Sequence, residues 1–129
     1  MAKIGDRNLV LMIDDDEVQL EIAKLHLKNE YDVVTAKSGR EALSLMVRGT
    51  APDLILLDIM MPNMDGWETF NRLKAISCLQ NVPIVFLSSA TETSAVERAY
   101  EMGAADFIGK PLTKKNLRDR IRKTLNKNE

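Results

Sequence analysis

The sequence predicts an α/β fold: a doubly wound, five-stranded parallel sheet with helices on both faces. Short apolar runs without polar alternation, typical of strands covered on both faces, recur five times along the chain. Amphipathic stretches with helical spacing separate these runs. The length of 129 residues, with 45% hydrophobic and 29% charged residues, matches one ordinary globular domain, so we expect residues 1–129 to form a single domain.

The five predicted strands are apolar and are spread along the whole chain. They are Leu9–Ile13, Tyr31–Thr35, Leu54–Leu57, Ile84–Leu87 and Phe107–Ile108. Because each strand is followed by a helical stretch, the connections between strands are long enough for right-handed crossovers. Strict alternation of this kind indicates a parallel sheet.

The five predicted helices are defined by apolar residues that share one helical face. These residues are Val18, Ile22 and Leu25 in the first helix, Leu43 and Met46 in the second, Phe70 and Leu73 in the third, Ala95, Ala99 and Met102 in the fourth, and Leu117, Ile121 and Leu125 in the fifth. Ser38 and Glu41 have the spacing of a capping box. Thr91 and Thr113 are candidate N-caps, and Gly103 is placed to end the fourth helix in a left-handed conformation.

Composition and charge argue against several classes of protein. No apolar run approaches the roughly 20 residues that span a bilayer, and the N-terminus lacks the apolar stretch of a signal peptide. The single cysteine, Cys78, excludes an internal disulfide framework. We therefore expect a cytoplasmic protein without a membrane partner. Residues 110–129 contain eight Lys or Arg and two Asp or Glu, but a solvated helix face explains this excess, so no direct contact with nucleic acid is expected.

Polar side chains follow four of the five predicted strands. They are Asp14, Asp15 and Asp16 after the first, Asp58 after the third, Ser88 and Ser89 after the fourth, and Lys110 after the fifth. The carboxyl ends of parallel strands meet at one edge of a sheet, where ligands bind. Clustered carboxylates repel each other, and a divalent cation such as Mg²⁺ relieves that repulsion. A lysine suits a phosphate, and a carboxylate can attack phosphorus to give an aspartyl phosphate.

Four segments at these strand ends resemble the receiver domain of two-component response regulators. They are Ile13–Asp15, Leu57–Gly66, Pro83–Ala90 and Gly103–Pro111. The resemblance extends over nearly the whole chain and implies the flavodoxin-like strand order 2-1-3-4-5. It implies a signalling domain that takes a phosphoryl group from a histidine kinase or a phosphotransfer protein. Such a domain is not an enzyme acting on a separate substrate, since it catalyses only its own phosphorylation and slow dephosphorylation.

The resemblance also implies which residues form the phosphorylation site. Asp58 is the phosphoacceptor, and Ser88 and Lys110 complete the reacting site. Asp15, Asp58 and the backbone carbonyl of Met60 bind Mg²⁺. Asp14 acts through water or from behind the direct ligands.

A switch pair and a partner-binding face are the other implications of the resemblance. Ser88 turns toward the phosphoryl group, and Phe107 turns in from the surface to fill the space that Ser88 leaves. This movement reshapes the face formed by the fourth helix, the fifth strand and the fifth helix, where an output domain or protein binds. The peptide bond between Lys110 and Pro111 is expected to be cis.

Three alternative functions are weighed against this interpretation. A receiver-like module could bind partners without being phosphorylated. A phosphatase of the haloacid-dehalogenase type would use the Asp-x-Asp spacing of Asp14 and Asp16 but leaves the Asp58 segment unexplained. A flavodoxin-like carrier is disfavoured because three consecutive aspartates would repel the phosphate of its cofactor. A stand-alone regulator, a part of a longer protein and a homodimer all remain compatible with the sequence.

Overall fold

Five strands and five helices alternate along the chain in the computed structural model, which describes residues 7–89 and 93–127. The strands are β1 (Leu9–Ile13), β2 (Asp32–Ala36), β3 (Leu54–Asp58), β4 (Ile84–Ser88) and β5 (Asp106–Gly109). The helices are α1 (Glu17–Leu27), α2 (Gly39–Val47), α3 (Gly66–Lys74), α4 (Thr93–Met102) and α5 (Lys114–Lys127). A short 3₁₀ helix, Ser77–Leu79, lies between α3 and β4.

The strands form one parallel sheet in the order β2-β1-β3-β4-β5. The predicted fold class and strand order are therefore confirmed. The chain leaves β1 for β2 on one side and places β3 on the other side, so the direction of winding reverses between β1 and β3. A crevice at the carboxyl ends of these two strands is the usual place for a ligand in such a sheet.

Polar residues extend two of the strands beyond their predicted ends. Asp58 closes β3 opposite Leu87, and Ser88 closes β4 opposite Gly109. The prediction ended both strands too early because it used the polarity of the side chains. The end of a strand is instead set by backbone pairing with the neighbouring strand. Both polar side chains therefore begin from rigid sheet backbone.

Alternating strand residues divide the core between the two faces of the sheet. One face packs beneath α2, α3 and α4 and includes Leu11, Leu57, Phe86 and Phe107. The other packs beneath α1 and α5 and includes Met12, Leu56, Leu87, Leu117 and Ile121. The three central strands are buried on both faces as predicted, but the edge strand β2 is only partly covered.

The predicted apolar face of α1 does not lie in the core. Val18 is 63% exposed and Leu25 is 60% exposed. Ile22, the third predicted residue, is half-buried. The buried side is formed by Leu20, Ala23 and Leu27, which also recur at a helical spacing. Two apolar stripes are therefore present on this helix, and packing against the sheet and α5 selects the one that contains the small Ala23. In the third, fourth and fifth helices the predicted residues Phe70, Leu73, Ala99, Leu117 and Ile121 are buried. In α2 the predicted residues Leu43 and Met46 are only half-buried against the core, and the buried residues are Gly39 and Ala42.

The turns that begin and end the helices agree with most of the sequence signals. Ser38 Oγ accepts a 3.0 Å hydrogen bond from the Glu41 amide, as a capping box requires. Thr113 Oγ1 accepts from the Asn116 amide at 3.1 Å. Gly103 has a φ of 103°. The candidate cap Thr91, like Ala90, lies outside the described residues.

The peptide bond between Lys110 and Pro111 is cis, as expected. It lies between β5 and α5, directly after the lysine of the predicted site. Across residues 7–89 and 93–127, no helix combines the length and the apolar character that crossing a bilayer requires.

Candidate functional site

Three strands bring charged side chains together at the carboxyl edge of the sheet. Asp14 follows β1, Asp58 ends β3, and Lys110 follows β5. The Lys110 ammonium lies 2.9 Å from Asp14 Oδ2 and 3.1 Å from Asp58 Oδ1. Both carboxylates are buried. The side chains are far apart in the sequence, and only the parallel sheet makes them neighbours.

Three carboxylates near the central strands of the sheet form a cluster beside the Lys110 ammonium. Asp14, Asp15 and Asp58 each offer one oxygen, and these oxygens lie within 4.8 Å of one another. Asp14 and Asp58 are buried, whereas Asp15 is exposed. Oxygen ligands in this number suit a divalent cation such as Mg²⁺, which commonly combines one or two carboxylates with water and phosphate. The residues of the cluster therefore fit a metal site that opens toward solvent on the side of Asp15.

The three carboxylates are not equally available to a cation. Asp14 Oδ1 accepts a hydrogen bond from the Asp16 amide at 3.0 Å, and its Oδ2 is engaged by Lys110. Asp16 itself caps α1 by accepting from the Val18 amide at 2.9 Å. Asp14 thus serves mainly to hold Lys110 and the start of the first loop in place.

Burial and like charge determine how Asp58 titrates. Burial and then the nearby Asp14 charge raise the pKa of Asp58 from 3.8 to about 6, although Lys110 partly offsets both effects. Burial by itself would lower the pKa of Lys110, but its contacts with Asp14 and Asp58 outweigh burial, and the net effect is to raise it. At neutral pH Asp58 is therefore mostly ionised beside a charged lysine.

The segment that follows Asp58, residues 59–65, is named the acceptor loop here. The Gly66 amide donates a 2.7 Å hydrogen bond to the Ile59 carbonyl and closes the loop. A Cβ atom added to Gly66 would overlap the backbone oxygen of Asp58, so only glycine permits this return. Asn63 has a φ of 69°, a left-handed conformation that asparagine tolerates. Met60 is 68% exposed at the rim of the site.

Ser88 and Phe107 lie on the same face of neighbouring strands. Ser88 is fully buried at the end of β4, and its carbonyl accepts a 2.8 Å hydrogen bond from the Lys110 amide. Phe107 pairs in register with Phe86 and is only 8% exposed. The aromatic side chain is therefore already part of the core in this conformation, and a surface position would be a second conformation.

Two features of the site were not predicted as functional from the sequence. Gly66 was recognised as part of a motif, but its close approach to Asp58 becomes visible only when the loop is folded. Asp106 lies in the quoted segment Gly103–Pro111 but was assigned no role, although its Oδ1 accepts hydrogen bonds from Tyr100, Phe107 and Arg120. A lone aspartate at the start of a short strand carries no sequence signal for such a junction.

The sequence that forms this site matches a known protein family. Residues 10–122 match the response regulator receiver domain. The chain belongs to this family. It is therefore a receiver domain of the kind found in the response regulators of two-component systems.

Individual relatives agree with the family assignment. The chain is 39% identical over 124 residues to the DNA-binding response regulator MtrA of Mycolicibacterium smegmatis, a match that covers 95% of this chain and 53% of the relative. It thus spans about half the length of that relative.

Solved structures show the same fold. The chemotaxis protein CheY4 of Vibrio cholerae superposes with a TM-score of 0.86 at 27% identity, covering 92% of this chain and 98% of that one. The signal receiver domain of a signal transduction histidine kinase from Syntrophus aciditrophicus gives a TM-score of 0.81 at 32% identity, covering 93% and 91%. Similar receivers thus occur both alone and in larger proteins.

Proposed function

We propose that Asp58 is the phosphoacceptor of this receiver domain and takes its phosphoryl group from a histidine kinase or a phosphotransfer protein. One observation carries the assignment: Asp58 is a buried carboxylate within 3.1 Å of the Lys110 ammonium and beside two further aspartates. A carboxylate held without a full complement of counter-charge is suited to gain a cation and a phosphoryl group.

The proposed metal ligands are Asp15, Asp58 and the backbone carbonyl of Met60, with Asp14 acting through water. The proximity of the three carboxylates supports a divalent cation, and the two hydrogen bonds already made by Asp14 support its indirect role. Bound Mg²⁺ would supply positive charge to the oxygens of the transferring group. We propose Mg²⁺ because hard oxygen ligands and a phosphate favour it.

In the proposed transfer, a carboxylate oxygen of Asp58 forms a bond to phosphorus while the bond from phosphorus to the donor breaks. No proton has to leave Asp58, because it is mostly ionised at neutral pH. In this proposal Lys110 balances charge at the aspartyl oxygen, and the Ser88 hydroxyl turns toward a phosphoryl oxygen. The chain acts only on itself in this reaction, so it is not an enzyme with a separate substrate.

The surface beside the site supports a protein as the phosphoryl donor. Val18 and Leu25 leave an apolar stripe exposed on α1, and Met60 adds apolar surface at the rim. Val18 lies three residues after Asp15, so this stripe begins next to the acidic cluster. We propose that the donor docks there, and that the exchange takes place in the cytoplasm.

The proposed output surface is formed by α4, β5 and α5. Tyr100 on α4 and Arg120 on α5 both bind Asp106 of β5, which joins the three elements. Phe107 is next to Asp106 in the chain, so a movement of its ring would act on this junction. We propose that an output domain or protein reads this surface, and that a homodimer is a second use of it. Direct binding to nucleic acid is not proposed for this chain.

Treatment with acetyl phosphate and Mg²⁺ tests the assignment of Asp58. Intact-mass analysis is expected to show one added phosphoryl group in the wild-type chain and none in Asp58→Asn, because an amide cannot form the acyl phosphate. Asp119→Asn is the matched control, since that carboxylate is exposed on α5 and pairs only locally with Lys115 among the described contacts. A phosphorylated Asp58→Asn chain would contradict the assignment, and an unmodified wild type would favour a binding module.

A further inference from the structure

The first residue of α2 lies against the acceptor loop and α3. A Cβ atom added to Gly39 would overlap the Thr69 hydroxyl and lie 2.8 Å from the Met64 sulfur. Gly39 is buried, and it is not one of the glycines with a positive φ, which among the described residues are Gly49 and Gly103. Glycine at this position therefore provides space between two helices rather than conformational freedom.

The two neighbours of Gly39 help to hold the acceptor loop. Met64 lies within the loop and is buried. Thr69 is fully buried on α3, and its hydroxyl donates a 2.8 Å hydrogen bond to the carbonyl of Asp65, the last residue of the loop. The Gly66 amide fixes the first residue of the loop at 2.7 Å. The Asp65 carbonyl also accepts a 3.0 Å hydrogen bond from the Thr69 amide, so the hydroxyl adds a second bond at the end of the loop, and Gly39 lies against that hydroxyl.

The start of α2 is also tied to the start of α1. The Glu41 carboxylate accepts a 3.1 Å hydrogen bond from the Lys37 amide. The Lys37 ammonium forms an ion pair with Glu17. Glu17 is two residues after Asp15 in the chain. Segment 37–39 therefore connects the two parts of the chain that supply the acidic cluster.

A side chain at position 39 cannot be accommodated by a movement of Met64 alone. Methionine is flexible and can turn its sulfur away. Thr69 is β-branched, fully buried and hydrogen-bonded, so its alternative rotamers are few and costly. Relief of the overlap requires the Thr69 hydroxyl to give up its hydrogen bond to the Asp65 carbonyl, which then keeps only the bond from the Thr69 amide, or requires α2 to move away from α3. Either movement loosens the contacts that hold the end of the acceptor loop against α2 and α3.

We propose that Gly39 is a positioning residue for the acceptor loop. By letting α2 close against Thr69 and Met64, it sets the place of the loop relative to Asp15 and so the affinity of the acidic cluster for Mg²⁺. The inference rests on the proposed function, because that function assigns Mg²⁺ to this cluster. Gly39 acts only through its neighbours and touches no reacting atom.

Four variants test this role: Gly39→Ala, Thr69→Ala, the two combined, and Gly49→Ala. The last is the matched control, because Gly49 follows the same helix and has a φ of 98°, but an added Cβ atom would meet nothing within 4 Å. It strains the backbone without touching the loop. The dissociation constant for Mg²⁺ is measured by isothermal titration calorimetry on each folded variant. Urea unfolding reports the loss of stability separately.

Gly39→Ala is expected to weaken Mg²⁺ binding about fivefold in the wild-type background. It is expected to have little effect when Thr69→Ala is already present, because the effects of two substitutions depend on each other when the residues are in contact. Gly49→Ala is expected to lose stability and keep its Mg²⁺ affinity. Hydrogen exchange at the Met64 and Gly66 amides gives a readout without metal. Their protection is expected to fall in Gly39→Ala and to be kept in Gly49→Ala.

Three results would overturn the inference: wild-type affinity and protection in Gly39→Ala, equal weakening in Gly49→Ala, or the same loss from Gly39→Ala in both backgrounds. If Gly39→Ala alone does not fold, Thr69→Ala decides. That variant removes the hydroxyl's hydrogen bond to the Asp65 carbonyl and keeps the bond from the amide of residue 69, and unchanged exchange at Met64 and Gly66 would reject a role for the hydroxyl in holding the loop. Failure of the proposed function looks different, because the wild type would then gain no phosphoryl group from acetyl phosphate while the exchange differences persist.

Discussion

Two buried carboxylates in this domain have opposite surroundings. Asp106 at the edge of the sheet is well satisfied, because its Oδ1 accepts from Arg120 at 2.7 Å, Phe107 at 2.8 Å and Tyr100 at 3.0 Å. Asp58 at the carboxyl end of the sheet shares one lysine with Asp14 and faces the charge of Asp15. The first carboxylate joins three elements of structure, and the second is kept short of positive charge. The difference indicates which carboxylate is structural and which is available for chemistry.

The largest effect on stability is expected when the satisfied carboxylate is removed. Asp106→Ala leaves the buried Phe107 amide without its acceptor and takes the charged partner from Arg120. We expect the free energy of unfolding to fall by about 2 kcal/mol, the range for leaving a buried donor unpaired and losing a charged hydrogen bond. Urea unfolding at pH 7 measures this loss. A fall as small as that of an exposed substitution, such as Asp119→Asn, would show that the junction is not important for stability.

A gain in stability, rather than a loss, is expected when the other carboxylate, Asp58, is replaced. In the absence of Mg²⁺, Asp58→Asn should raise the free energy of unfolding at pH 7 by about 1–2 kcal/mol, less than the full effect of a pKa change from 3.8 to about 6, because Lys110 loses a partner. The same urea titration makes the comparison. If Asp58→Asn is instead less stable than the wild type, then losing the ion pair with Lys110 costs more than relieving the burial and charge repulsion at Asp58 gains.

The protonation of Asp58 is expected to make both stability and phosphorylation depend on pH. The folded chain holds the Asp58 proton more tightly than the unfolded chain, so the contribution of this group to stability falls as pH rises from 3.8 to about 6 and stays low above that. Asp58→Asn should remove this part of the pH profile. Phosphorylation has the reverse dependence, because the ionised carboxylate attacks phosphorus.

Below pH 6 the rate of phosphorylation by acetyl phosphate is therefore expected to fall by about tenfold per pH unit at limiting Mg²⁺. Saturating Mg²⁺ should shift this fall to lower pH, because a cation favours the ionised form. The measurement is the initial rate of mass gain at several pH values. A rate that stays constant between pH 4.5 and 7, at about the same extent of folding, would contradict the raised pKa of Asp58.

The smallest effect on stability is expected from removing the Tyr100 hydroxyl, one of the three groups that donate to Asp106 Oδ1. Tyr100→Phe removes one donor from Asp106 and leaves the Arg120 and Phe107 contacts in place. The cost should be about 1 kcal/mol in unfolding free energy, the usual net value of one hydrogen bond. Chemical shifts of Phe107 and α5 measure whether the junction relaxes. If Tyr100→Phe cost as much as Asp106→Ala, the hydroxyl rather than the carboxylate would hold the junction together.

Much of the fold could be predicted because the strongest signals lie in the elements that are buried on both sides. The central strands are continuous apolar runs, and the helices between them have regular spacing, so a parallel sheet follows from the alternation of elements and the handedness of the crossovers. The strand order was implied by the resemblance to receiver domains. The α1 prediction was wrong for a physical reason. The stripe of Val18 and Leu25 and the stripe of Leu20 and Leu27 are both apolar, and periodicity alone does not say which one meets the sheet.

By itself the sequence determined that strands and helices alternate around a parallel sheet and where the acidic residues lie, because polar residues that follow apolar strands must meet at one edge of such a sheet. Tertiary structure alone decided the interactions between these residues. The pairing of Lys110 with two carboxylates, the overlap that Gly39 avoids and the three donors on Asp106 join segments that are distant in the chain. Local sequence patterns indicate which side of a helix or strand a residue occupies. They do not indicate distances of a few ångströms between packed elements, and these distances set the charge balance and the steric fit.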